Sequence, residues 1–239
     1  MIAFLFFLSL ALVIYVYGGY PVLVFVLGLF IDRSPRKQRV DPFVTILIAA
    51  HNEEKQIAAT LSNELSLDYP ADHLEILVIS DGSTDRTDDI VKGFREKSVR
   101  LLRQEPRSGK TAALNLAVPL AKGNIVAFSD ANSIWAPDAL RRLTANLADP
   151  SVGYVTGKMV YTNPGGSPVG EGCSGYMKYE NALRAGETRI GSVVGVDGGI
   201  DAVRKELYRP MNPDQLPDFV LPLQVVAQGR RVVYEPAAL

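Results

Sequence analysis

Four aspartates, Asp81, Asp85, Asp88 and Asp89, crowd the stretch VISDGSTDRTDDIV (78–91), directly after an apolar run. A calcium loop needs oxygen ligands at alternating positions closed by an acidic residue, and this spacing does not supply them. The later three have a simpler explanation. Acidic side chains in the first turn of a helix favour the positive end of its dipole, and Ser83 or Thr84 can cap that helix. Asp81 is left over. It falls where the apolar run ends, and a carboxylate there can accept from a base N–H or a sugar hydroxyl.

A second acidic group stands in FSDANSIW, where Asp130 and Asn132 are two residues apart. On an extended segment two such residues point to one side. One carboxylate and one amide oxygen can share a hard divalent cation with phosphate oxygens. An Asx-turn at a strand end explains the same pair, and the motif alone leaves both readings open. Lys110 in RSGKT opens an Ala- and Leu-rich helical segment. A cation at a helix N-terminus opposes the dipole, which hints at an anionic ligand, whereas a solvated lysine is the plainer alternative. His51 follows a strand-like run and could be only a hydrogen-bonded strand end. Asp218, after Pro217, could be only an N-cap. Gly191, Gly195, Gly198 and Gly199 could serve tight turns alone.

These residues need elements to hold them. FVTILIAA (43–50), LEILVIS (74–80), VRLLRQ (99–104) and NIVAFSD (124–130) read as strands, the first with no polar alternation, as expected of a strand buried on both faces. Between and after them lie helical patterns. Ile57, Leu61 and Leu65 share a face, as do Ile90, Val91 and Phe94. GKTAALNLAVPLA is bent or ended by Pro119, and PDALRRLTANL has Pro137 in its first turn. Strand and helix alternate four times, the pattern of a doubly wound α/β sheet that binds ligands beyond the carboxyl ends of its strands. After residue 150 the pattern changes. VGYVTGKMVY reads as a strand, YMKYENALRAGETRI as an amphipathic helix, GSVVGVDGGIDAV as a Gly-rich stretch, 218–228 as a helix and RVVYEP as a strand. This half is expected to complete the sheet's edge and to form the second wall of the site.

Taken in order, AAHNEE, SDGSTD, RSGKTAALN, SDAN, GVDGGIDAVRKELY and LPDFVLPLQVVAQGRRVVYEP resemble the family 2 glycosyltransferases, over residues 43–236. The resemblance implies a GT-A-like fold, a mostly parallel Rossmann-like sheet with flanking helices. It implies metal-dependent, hexosyltransferase-type transfer from a nucleotide-sugar, a UDP-sugar first, to an acceptor hydroxyl with inversion. On this pattern His51, Asn52 and Glu53 line the nucleotide pocket and His51 stacks on the base. Asp81 binds the base, and Arg107 and Lys110 form a basic pair near the nucleotide. Asp130 and Asn132 hold Mg²⁺ or Mn²⁺, and Asp218 is the general base. The chain departs from the pattern at Pro217, where an acidic residue usually precedes the base, and it ends at Leu239 before any Q-x-x-R-W motif. The corresponding expectation is a C-terminally truncated catalytic unit. A membrane-anchored nucleotide-sugar-binding or accessory protein without activity is the alternative. A dinucleotide-dependent oxidoreductase is set aside, because neither IAAHNEE nor ISDGSTD carries G-x-G-x-x-G after its strand.

The first 31 residues hold no charged side chain, and a bilayer crossing takes about 20 apolar residues. A cleaved signal peptide fits poorly, since there is no basic n-region and no A-x-A-like site. Gly18, Gly19 and Pro21 fall midway, so a tilted or kinked helix is expected. Arg33, Arg36, Lys37 and Arg39 follow at once, and basic flanks stay cytoplasmic. The expected organisation is an anchor at 1–31, a basic linker at 32–41 and a catalytic domain at 42–239, split into a nucleotide half (42–150) and an acceptor half (151–239). The anchor is expected in the cell membrane, among its lipids, with the catalytic domain cytoplasmic and the acceptor a saccharide or lipid-linked group. The motifs YGGYP and the anchor resemble the polysaccharide synthase branch of the same family. The lone Cys173 cannot form an internal disulfide. A net charge of −1 and a pI near 6.2 argue against a nucleic-acid partner.

Overall fold

The computed structural model describes residues 1–94, 98–160, 168–193 and 195–239. Arg95–Lys97 of the second helical pattern, Tyr161 at the end of the fifth strand pattern, Val194 of the Gly-rich stretch and the Cys173 side chain lie outside what is described.

The apolar N-terminus forms α1 (Ile2–Ile14), a π-helical turn (Tyr15–Gly19) and α2 (Tyr20–Phe30). Together they make one helix of 29 residues, long and apolar enough to cross a membrane. The irregular turn sits at Gly18 and Gly19, where missing side chains make departure from α-helical bonding easiest.

Among the described residues the rest builds one seven-stranded sheet in the order β3-β2-β1-β4-β6-β5-β7. Its parallel part comprises β1 (Val44–Ala50), β2 (Leu74–Asp81), β3 (Val99–Gln104) and β4 (Ile125–Asp130). Every residue of β2 is buried, which is why its sequence shows no polar alternation. One face carries Ile46, Ile48, Ile76 and Val78 and is covered by α3 (Ile57–Leu65), α4 (Thr87–Lys92) and α6 (Ala139–Asn146), through Ile57, Leu61, Val91, Leu140 and Leu143. The other face carries Leu47, Leu77 and Val126. It is covered by α5 (Lys110–Ala117) and α8 (Pro217–Ala227), through Ala113, Leu114, Leu221 and Val225.

The later half adds β5 (Val152–Thr156), α7 (Pro168–Ile190), β6 (Ile200–Arg204) and β7 (Arg231–Tyr234). It completes the sheet as expected, in an order that local patterns cannot reveal. β6 is antiparallel to both β4 and β5, while β5 and β7 are parallel. Reversal matters for the site: Ile200 pairs with Ser129, so the start of β6 stands beside the end of β4.

Three local expectations are corrected. The helix after β2 begins at Thr87, and neither Ser83 nor Thr84 caps it. Asp85 precedes it and accepts from the Thr87 N–H at 3.0 Å. Pro137 lies before α6, not in its first turn, because its carbonyl accepts from the Asp68 N–H at 2.7 Å. The strand at 152 stops at Thr156.

Candidate active site

Parallel strands β1, β2 and β4 end side by side, with Ala50 opposite Ser80 and Ala49 opposite Asp130. The residues that follow them therefore share one rim. The loop after β1 is stitched to the loop after β2. The Asn52 N–H donates to Ser83 Oγ (3.2 Å), and Asn52 Oδ1, on a residue with φ of +57°, accepts from the Thr84 N–H (2.8 Å). The Glu53 N–H donates to Thr87 Oγ1 (2.8 Å) and the Glu54 N–H to Asp85 Oδ2 (3.1 Å). His51 Nδ1 lies 2.8 Å from the Asp81 carbonyl. A carbonyl can only accept, so Nδ1 carries the proton and the half-buried ring is held at the rim.

Asp81 is 4 % exposed, and its carboxylate works within the chain. Oδ1 accepts from Gln104 Nε2 and the Ser108 N–H, both at 2.7 Å, and Oδ2 accepts from the Gly109 N–H at 2.8 Å. Burial raises its pKa, but the Ser108, Gln104 and Gly109 donors, with the Arg107 charge, outweigh that and leave it lowered. A carboxylate has about four acceptor sites, so room for a further donor remains on Oδ2. The sequence places Asp81 at the rim; the three protein donors that fix the segment leading to Lys110 are visible only in three dimensions. Arg107 is exposed, with its backbone against Gly82. Asp81→Asn replaces one of these acceptor oxygens by a donor and should destabilise the fold by about 2 kcal/mol. Thermal melts against pH check this. The loss should be full at neutral pH and fade only in acid, because a lowered carboxylate pKa stabilises above the ordinary value and loses that effect as Asp81 protonates.

Lys110 opens α5 with its Nζ 3.1 Å from Asp130 Oδ1 and 3.7 Å from Asp218 Oδ2. Burial would lower its pKa, but Asp130 first and Asp218 second hold it raised. A lysine against the positive end of a helix dipole is thus explained by two carboxylates from other elements. Asp218 sits in the first turn of α8. Gly198, at φ of +80°, packs so closely on its carboxyl group that any Cβ there would overlap it. Gly199 stands against Asp130: a Cβ would come within 2.9 Å of Oδ2. The buried Trp135 Nε1–H donates to the Gly199 carbonyl at 3.1 Å and fixes that approach. Asp130, Lys110 and Asp218 therefore meet at the start of β6.

Asn132 is exposed and lies in a turn, not on an extended segment: β4 ends at Asp130, and the Ser133 N–H donates to the Asp130 carbonyl at 3.0 Å. Among the described residues no three His, Cys, Asp or Glu side chains cluster as a metal cage. Present instead is a partly exposed carboxylate with an amide two residues on. Those are hard oxygen donors, too few to hold an ion alone but suited to one that arrives sharing phosphate oxygens.

Two acidic residues beneath the site carry no motif in the sequence, where the Gly-rich segment is marked by its glycines. Asp201, wholly buried on β6, accepts from the Tyr154 hydroxyl at 2.9 Å. Burial lifts its pKa to about 7; the Thr156 and Tyr154 hydroxyls offset part of the rise, and the Asp218 and Asp197 charges add to it. Asp197 lies 2.7 Å from the Arg184 guanidinium. The available signal was an acidic residue inside an apolar strand, Ile-Asp-Ala-Val.

The model for "Glycosyl transferase family 2" matches residues 45–195. A beta-monoglucosyldiacylglycerol synthase of Nostoc sp. is 31 % identical over 169 residues, covering 69 % of this chain and 36 % of the relative. A poly-beta-1,6-N-acetyl-D-glucosamine synthase of Staphylococcus aureus is 29 % identical over 203 residues, 82 % of this chain and 48 % of the relative. The chain thus spans between about a third and a half of the length of these relatives. Among solved structures, a mannosyltransferase from Pyrobaculum calidifontis in complex with GDP-Man and Mn²⁺ superposes with a TM-score of 0.78 at 27 % identity, over 93 % of this chain and 64 % of that one.

Proposed function

Because the chain belongs to glycosyl transferase family 2, we propose that it moves a sugar from a nucleoside-diphosphate donor, a UDP-sugar first, to an acceptor hydroxyl with inversion at the anomeric carbon. The observation that carries this reading is the meeting of Asp130, Lys110 and Asp218, from three separate elements, within salt-bridge distance at the ligand-binding end of the sheet. His51, Asn52 and Glu53 line the nucleotide side, and Asp81 holds the segment that presents Arg107 and Lys110. Asp218 accepts the proton of the acceptor hydroxyl as its oxygen attacks the anomeric carbon from the face opposite the leaving group. The bond from that carbon to the diphosphate oxygen breaks, and the electron pair leaves with the diphosphate. Lys110 is placed to meet that charge. Asp130, with Asn132, would hold Mg²⁺ or Mn²⁺, which supplies Lewis-acid stabilisation of the leaving group. The acceptor is a saccharide or a lipid-linked hydroxyl at the membrane. The helix at 2–30 serves as the anchor, and the basic residues 33–39 keep the catalytic part on the cytoplasmic side.

Release of nucleoside diphosphate from a panel of UDP-sugars and GDP-mannose tests the proposal, with and without EDTA. One donor should turn over, chelation should stop it, and added Mn²⁺ or Mg²⁺ should restore it. Binding of nucleotide without release from any donor would assign the chain a carrier role instead.

A further inference from the structure

We infer that the buried Arg184–Asp197 pair positions the transfer site, locking the Gly198–Gly199 segment against both site carboxylates from a helix that is itself seated on the apolar anchor. This rests on the glycosyl-transfer reading above.

Arg184 Nη1 lies 2.7 Å from Asp197 Oδ1 and Nη2 lies 3.0 Å from Glu180 Oε1, with the Arg184 and Asp197 side chains only 6 % and 10 % exposed. Asp197 has further ties: its N–H donates to Thr156 Oγ1 and its Oδ2 accepts from the Met159 N–H, each at 3.4 Å. It therefore joins α7 to the end of β5. The next two residues are the glycines whose backbone fits against Asp218 and Asp130. A shift of the Asp197 carboxylate moves the surface on which the base rests.

The far side of α7 is fixed equally firmly. Gly186 packs on the buried Val24 of α2, leaving no space for a Cβ, which would lie 2.8 Å from Val24 Cγ1. The Tyr20 hydroxyl donates to Glu187 Oε1 at 2.6 Å, and the Arg33 N–H donates to the Arg189 carbonyl at 2.7 Å. Arg231 of β7 donates to the Thr188 and Gly191 carbonyls at 2.6 and 2.9 Å. α7 is thus braced between anchor and sheet, and Arg184 is its connection to the site. Stability alone is a poor explanation for such a pair, since apolar residues of similar volume often serve a buried site as well or better. A rigid guanidinium fork, by contrast, fixes direction as well as distance.

The test uses the full chain in detergent and follows nucleoside diphosphate release from the donor that the wild type turns over. Affinity for the matching nucleoside diphosphate with Mn²⁺ is measured by calorimetry alongside. Arg184→Met and Asp197→Asn should lower kcat on the order of 100-fold, the scale of a misplacement of about 1 Å. Nucleotide affinity, set mainly by the β1 and β2 loops, should fall by no more than about tenfold, because only the Gly199 contact reaches Asp130. Arg184→Lys, which keeps the charge and loses the fork, should fall between. The double variant Arg184→Met/Asp197→Leu removes both charges of the pair and leaves Glu180, 30 % exposed, to solvent, so it should melt near the wild type yet keep the low kcat. Recovery of wild-type kcat in that double variant overturns the inference, as does a parallel loss of kcat and nucleotide affinity in the single variants. A wild-type chain that releases nucleotide from no donor instead overturns the glycosyl-transfer reading.

Discussion

Asp218→Asn should reduce sugar transfer about 10³-fold, within the range that a positioned general base contributes, while leaving nucleotide affinity and melting temperature near those of the wild type. The substitution keeps the side chain's shape, so the Gly198 backbone still fits against it, and it removes the negative charge and with it the ability to take a proton. The position is partly open, with 43 % of the Asp218 side chain exposed, which suits a group that must meet an acceptor. Its contact with Lys110 is long, at 3.7 Å, so losing the charge gives up little stability. Steady-state kinetics with calorimetric binding on the same preparation separate the two effects. Transfer at the wild-type rate would remove Asp218 from the role of base.

Glu64→Gln should stabilise the protein above neutral pH and change little in acid. Glu64 lies on α3, wholly buried, and among the described residues neither carboxyl oxygen has a hydrogen-bond partner of good geometry. Burial lifts its pKa to about 8, and the Ser129 hydroxyl offsets part of the rise. The sign follows from proton uptake. Below about pH 4.5 both folded and unfolded chains are protonated here, and nothing is lost. Between that value and about 8 the unfolded chain ionises while the folded one does not, so stability falls as pH rises, by about 1.4 kcal/mol per unit. Glutamine has no such proton to lose, and its gain at pH 7.5 should be on the order of 4 kcal/mol. Urea unfolding of both chains at pH 5 and 7.5 measures it. An equal difference at the two pH values would mean that Glu64 is ionised in the folded state. Asp201, raised to about 7, bends the wild-type curve in the same direction.

The parallel half was legible because burial on both faces imposes unbroken apolar runs, as in VTILIAA and LEILVISD. Asp81 and Asp130 could be placed at the carboxyl ends of their strands for the same reason. Partnership was not legible. Nothing local tells that the Asp81 carboxylate binds the Ser108 and Gly109 amides, or that Asn132 turns away from the strand direction. The neighbours of β6 depend on pairing across about 75 residues, and an antiparallel strand of five residues looks like any other short apolar run. The burial of Glu64 was not legible either, because a glutamate on a helix is ordinarily solvated.

The strand order also has a consequence for biosynthesis. Among the described residues β5 pairs only with β6 and β7, both made after it, so Val152–Thr156 leaves the ribosome with no edge to join until Arg204 has followed. Until then an apolar ribbon with unpaired amides stays available to chaperones and to neighbouring chains. Slow translation or heat during that interval should therefore lose more protein to aggregation than the same stress applied once β7 has closed the sheet.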